Sequence, residues 1–241
     1  MRLFQRIFFA ALFAGLIAGA GMSALQQWRV APLILEAEVY ENAAPEAPVA
    51  HEHEAGAAAH EHEEDAWAPQ DGVERISYTV GADLLATIGF ALLLAAVSLL
   101  SGIEITARNG VLWGLAGFAV FQLAPAFGLA PELPGMPAAD LVARQIWWWG
   151  CALATATAIF GIVRFRSWPA VAIGIVLILL PHVIGAPQLA GEHESTVPAH
   201  LATEFAASTL AVGAAFWVSV GPLYGWLLEW FGRRLSATVT A

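Results

Sequence analysis

The sequence contains no lysine, and its ten basic residues are all arginine. Charge of either sign is scarce: 12% of the 241 residues are Asp, Glu, Lys or Arg, against roughly 25% in a soluble domain. One cysteine, Cys151, excludes an intramolecular disulfide and any CxxC metal site. No basic cluster offers a nucleic-acid footprint. A Walker A sequence, an HExxH pair, a nucleophile constellation and an organic-cofactor motif are also missing, so neither direct ATP coupling nor an enzyme is expected.

What is abundant is apolar sequence, at 59% of the chain. Crossing about 30 Å of hydrocarbon takes about 20 apolar residues. Six runs qualify: Leu3–Leu25, Tyr78–Leu100, Gly110–Leu129, Ile146–Val163, Pro169–Ala186 and Leu201–Trp226, the fourth being short. The expected fold is an all-α integral membrane protein, a bundle of about six transmembrane helices. Cleavage of the first run would leave five, because Arg2 and Arg6 precede it as in a signal peptide. That run continues to Leu25 with only a poor small-residue signal at Ala18 and Ala20, so it reads as a retained helix.

Arginine placement sets the orientation. With the N-terminus inside, Arg2, Arg6, Arg108, Arg164, Arg166, Arg233 and Arg234 are cytoplasmic, and Arg29, Arg75 and Arg144 are outside. Both termini then lie in the cytoplasm of a multi-pass protein of the bacterial inner membrane. Trp28, Trp147, Trp148, Trp149, Trp168 and Trp226 fall near run ends, as an aromatic belt requires. The expected divisions are 1–36 for the first helix and its exit, 37–77 for an outer loop, 78–230 for a five-helix membrane domain and 231–241 for a short tail. Ala11, Gly15 and Gly19 form a small-residue face that would let a second copy approach as a homo-oligomer.

The outer loop holds the acidity: twelve of the twenty acids lie between Glu36 and Glu74, within a formal charge of −10. Its core carries two His-x-His pairs, His51 with His53 and His60 with His62, among glutamates. Too few apolar residues are present to offset ordering entropy, so the loop is expected to be disordered without ligand. Imidazoles within a dense carboxylate field favour cobalt, nickel, copper or zinc, so the loop reads as a metal collector.

Ionisable residues inside apolar runs are functional candidates. Asp83, His182 and Glu204 are such residues, and their depth matches that of Gln122, Arg144 and Gln145, with Cys151 further in. Equal depth in five helices points to a shared outer vestibule. His193 and His200 lie between the fifth and sixth runs, so His182, His193, His200 and Glu204 form the candidate structured cation site. Met136 is a soft side chain in a proline-rich outer turn and reads as packing.

Five segments in order carry a family likeness: Gln26-Gln27-Trp28-Arg29-Val30-Ala31-Pro32-Leu33-Ile34-Leu35-Glu36-Ala37-Glu38, Ala130-Pro131-Glu132-Leu133-Pro134-Gly135, Arg144-Gln145-Ile146-Trp147-Trp148, Pro181-His182-Val183-Ile184-Gly185-Ala186-Pro187 and Val197-Pro198-Ala199-His200-Leu201. With the hydropathy profile, they resemble the CbtA family of cobalt transporter subunits over nearly the whole chain. The resemblance implies cobalt uptake beside a small one-helix subunit bearing a histidine-rich tail, and about five spans rather than six. The expected function is uptake of a divalent transition metal, cobalt or else nickel, as cargo. The alternative is a membrane metal sensor or accessory protein that translocates nothing.

Overall fold

The computed structural model describes residues 2–43, 69–189 and 195–237, and every regular element among them is helical. The helices are α1 (Arg2–Arg29), α2 (Ala31–Ala43), α3 (Val73–Ser101), α4 (Gly110–Ala126), α5 (Leu141–Phe165), α6 (Trp168–Ile184) and α7 (Ala199–Ala237). Of these, α1, α3, α5 and α7 are long and apolar enough to cross a membrane, whereas α4 and α6 have no more than 17 residues.

All six apolar runs are therefore helical, but their lengths depart from expectation. The fourth run is not short: it is a 25-residue helix beginning at Leu141. Asp140 starts it there, accepting the Ala143 N–H on Oδ1 at 2.8 Å and so meeting one of the free amides of the first turn. The short helices are the third and fifth runs. The segment expected as loop from residue 37 begins in α2, which runs to Ala43. Pro32 sits in its first turn, where a missing N–H does no harm.

Small residues hold the bundle together. Ala10, Ala11 and Ala14 are fully buried, and a Cβ on Gly15 would lie 2.6 Å from the Ile88 Cα of α3. The Ala11/Gly15/Gly19 face expected to receive a second copy is thus filled by α3 of the same chain. Likewise, Gly110, Gly114 and Gly117 of α4 are buried. A Cβ on Gly110 would lie 2.5 Å from the Gly221 carbonyl carbon, and one on Gly114 would overlap the Trp217 carbonyl oxygen of α7. Backbone meets backbone, which is how helices associate where lipid supplies no hydrophobic drive. Beyond this contact the Phe121 and Trp217 rings stack at 5.7 Å.

Helices α5 and α6 form a hairpin closed by Arg166, which adopts left-handed backbone at φ 45°. The hairpin joins the other helices at the middle and last turns of α4. At one end of the bundle, Arg6 Nε donates to the Leu228 carbonyl at 2.7 Å, and the Ala107 N–H donates to Glu229 at 3.2 Å. The start of α1, the α3–α4 turn and the end of α7 therefore share that end. Gly114→Ala is expected to lower stability by about 1–3 kcal/mol through overpacking. Gly89→Ala, with nothing within 4 Å, should leave it unchanged or raise it. Thermal unfolding of both variants in detergent checks the contrast.

Candidate functional site

The polar site follows from helix length. At 1.5 Å per residue, α4 and α6 are about 25 Å long. Both start at the Arg6/Glu229 end, so both stop short of the opposite end. There the α4 exit meets the α6 exit: Gly128 packs on Trp147 and on Ala186. Trp147 lies six residues into α5, about 9 Å below its start. The result is a recess walled by the longer helices.

The end of α4 is built to face it. Residues Ala119–Leu123 form a π turn, with the Ala124 N–H donating to the Ala119 carbonyl. Pro125 explains the widening, since it has no N–H for the Phe121 carbonyl and would clash with it in an α-helix. Gln122 lies in this turn, and Gly213 of α7 makes room for its amide, because a Cβ there would collide with it. A cavity of about 370 Å³ opens beside it, lined by Gln122, Gln145, Trp148, Thr209 and the ion-paired Glu132 and Arg144.

Two polar atoms here, Gln122 Oε1 and Thr209 Oγ1, are buried without a hydrogen-bond partner among the described residues. Thr157 and Thr203 each donate to the carbonyl four residues earlier, at 2.7 and 2.8 Å. Thr209 does not. Across the Leu129–Glu132 segment a second cavity of about 620 Å³ extends past Met136, Gln188 and Thr203. Met136 is held in its turn by the Leu133 N–H at 3.3 Å, which fits its packing role.

The other expected site residues are scattered. Asp83 lies beside Ser23 of α1. Glu204 is half exposed and pairs with Arg29 at 3.7 Å, beside a separate cavity of about 450 Å³. His182 lies 3.9 Å from the Cys151 sulfur, and His200 is exposed. His51, His53, His60, His62 and His193 lie outside the described residues. Among the described residues no three His, Cys, Asp or Glu side chains converge as a metal would require. Of the expected vestibule, Gln122, Arg144 and Gln145 come together in one cavity. Glu132 and Thr209 complete it and were not picked as site residues. Pro125, placed four after Phe121, was the signal for an irregular turn.

A further clamp closes the same end of the bundle. Arg75 of α3 reaches Glu38 of α2 with both terminal nitrogens, and Asp71 at 3.1 Å. The inner side of α2 packs Leu33 and Ala37, together with Val30 just before the helix, against Leu133, Val197 and Leu201.

Long apolar helices packed through small residues, with a polar recess at one end, define a multi-pass membrane protein. The chain belongs to the CbtA family: the family model described as "Probable cobalt transporter subunit (CbtA)" matches residues 4–229. No curated protein and no solved structure matches it. Membership makes a metal ion the cargo and the chain one part of a larger assembly. The partly buried Glu132–Arg144 pair is expected to show about 1 kcal/mol of coupling that weakens with salt. A double-mutant cycle of Glu132→Gln and Arg144→Met measures it, and zero coupling would mean that the pair is not formed.

Proposed function

We propose that this chain carries a divalent transition-metal ion, cobalt foremost, inward across the bacterial inner membrane, and that the recess between α4, α5 and α7 is its mouth. The observation that carries this reading is the pair of unmet polar atoms, Gln122 Oε1 and Thr209 Oγ1, on an open cavity of a cobalt transporter family member. A buried polar atom without a partner costs about 1–3 kcal/mol, and apolar side chains would avoid that cost. A hydrated cation supplies the missing partners through its water shell. The Glu132 carboxylate adds negative charge that Arg144 balances until an ion competes for it.

Orientation follows from how the arginines divide between the two ends of the bundle. Arg29, Arg75 and Arg144 each pair with a carboxylate. Arg6, Arg108, Arg164, Arg166 and Arg233 form no ion pair among the described residues. The end richer in arginine, which holds Arg6, Arg108, Arg164, Arg166 and Arg233, faces the cytoplasm on this reading, because the positive-inside rule counts basic residues; the recess then opens outward and both termini lie inside. The His51/His53 and His60/His62 pairs then lie outside, on the segment between α2 and α3. The Arg75–Glu38 clamp and the contact of Gly135 with Glu41 fix the helices that flank that segment at the recess end of the bundle. The loop raises the local ion concentration, while Asp83, His182, His193, His200 and Glu204 remain candidate ligands further along.

Membrane potential favours cation movement inward by about 2.3 kcal/mol per charge per 100 mV, so no nucleotide is required. A small one-helix histidine-rich subunit, implied by the family likeness, is the natural partner. Nickel in place of cobalt would leave the same route, whereas a sensor would bind without conducting. Uptake by vesicles holding the protein, with and without that partner and under an imposed potential, separates these readings. Accumulation of cobalt is expected, and accumulation of neither cobalt nor nickel would overturn transport. Deleting residues 51–65 should lower uptake at scarce metal and spare it at abundant metal. Gln122→Leu with Thr209→Val should cut uptake several-fold while leaving Tm unchanged or higher; undiminished uptake would remove the recess from the route.

A further inference from the structure

The α5–α6 seam holds polar groups that the recess does not use. Cys151 is fully buried, and its sulfur lies 3.9 Å from His182 Nε2. Thr155, one turn along α5 from Cys151 and only 2% exposed, has a hydroxyl with no hydrogen-bond partner among the described residues. Unlike Thr157 on the same helix, which donates to the Leu153 carbonyl, Thr155 makes no such bond within its own helix. A thiol and an imidazole thus meet in a seam that aliphatic side chains could fill, with an unmet hydroxyl one helical turn from the thiol.

The surroundings fix this geometry. Trp147 Nε1 donates to the Pro181 carbonyl at 3.1 Å, tying α5 to α6 at the residue before His182. The His182 ring is held edge-on by Trp147 and Phe127, with centroids 5.7 and 6.2 Å away. The imidazole is half-buried, so an ion would reach the buried sulfur past it. Gly128, which packs on Trp147, also lines the second cavity.

We propose that Cys151 and His182 form a two-ligand site for a borderline-soft divalent ion such as cobalt, nickel or zinc, with the Thr155 hydroxyl as a third, weaker donor. A metal–sulfur bond of about 2.3 Å and a metal–nitrogen bond of about 2.0–2.1 Å bridge 3.9 Å at a bent angle, so no helix has to move. Thiolate and imidazole together select against magnesium and calcium, which take oxygen ligands. Two strong ligands bind more weakly than a closed cage, as a conducting site must if the ion is to leave. Binding expels the thiol proton to solvent, so affinity rises with pH. The assignment rests on the transport reading for how the ion arrives, but not for whether it binds.

The test is a titration of the purified full-length protein with cobalt(II), reading the near-ultraviolet thiolate-to-cobalt charge-transfer band. Cys151 is the chain's only cysteine, so the band has one source. The wild type and the 51–65 deletion are expected to show it, with excess magnesium having no effect. Cys151→Ser should abolish it. His182→Ala should weaken binding by more than about tenfold, since even outer-shell partners of a metal are worth about 10–100-fold. No band in the wild type, or an unchanged affinity in His182→Ala, overturns the site. Should the serine variant misfold, cobalt X-ray absorption on the wild type decides: sulfur in the shell supports the site and an all-oxygen and nitrogen shell overturns it. Loss of uptake with the band intact counts against transport alone, and loss of the band with intact uptake counts against this site alone.

Discussion

The architecture turns on two helices that are too short. Helices α4 and α6, at about 25 Å each, cannot cross about 30 Å of hydrocarbon. Backbone that leaves a helix at that depth needs partners, and lipid offers none, so it is tolerated only inside protein or around a wet cavity. The longer helices provide the walls, and the connections through Gly128 and Ala186 form the floor. Close packing makes this stable: glycine faces on α4 and α7 bring the two backbones into contact. The recess is thus a consequence of helix length and small-residue packing before any ligand chemistry is considered.

Polar chemistry is distributed around the bundle in pairs rather than in one cage. Glu132 pairs with Arg144, Glu204 with Arg29, and Asp83 neighbours Ser23, while Cys151 neighbours His182. A single tight cluster of carboxylates and histidines would hold a divalent ion too firmly to release it. On the proposed route, a collecting loop, a neutral amide and hydroxyl, and a thiol and imidazole would act as successive weak stations, which suit passage better.

The sequence was legible where the physics is one-dimensional. Apolar run length gave six apolar helices, four of them long enough to cross a membrane, and arginine placement gave the shared end that Arg6 and Glu229 bear out by contact. Depth was also legible, which is why Gln122, Arg144 and Gln145 were grouped correctly. Azimuth was not. Asp83, Glu204 and His182 share a depth with those residues, yet Asp83 and Glu204 turn toward α1 and His182 turns into the hairpin seam. Helix faces are set by which glycines find which partner, and Ala11/Gly15/Gly19 read equally well as a dimer face until α3 is seen to fill it. The extra length of α5 hinged on one cap, Asp140, ahead of the polar pair Arg144-Gln145, which lies outside the apolar run.

In the proposed function the recess opens outward and receives metal. Labelling of Gln122→Cys and Thr209→Cys by a membrane-impermeant maleimide tests it directly, with the unsubstituted chain as the blank for the buried Cys151. Both positions are expected to label from the outer face of right-side-out vesicles and to be protected by added cobalt. Labelling only from the cytoplasmic face, or labelling that cobalt leaves unchanged, would contradict the account.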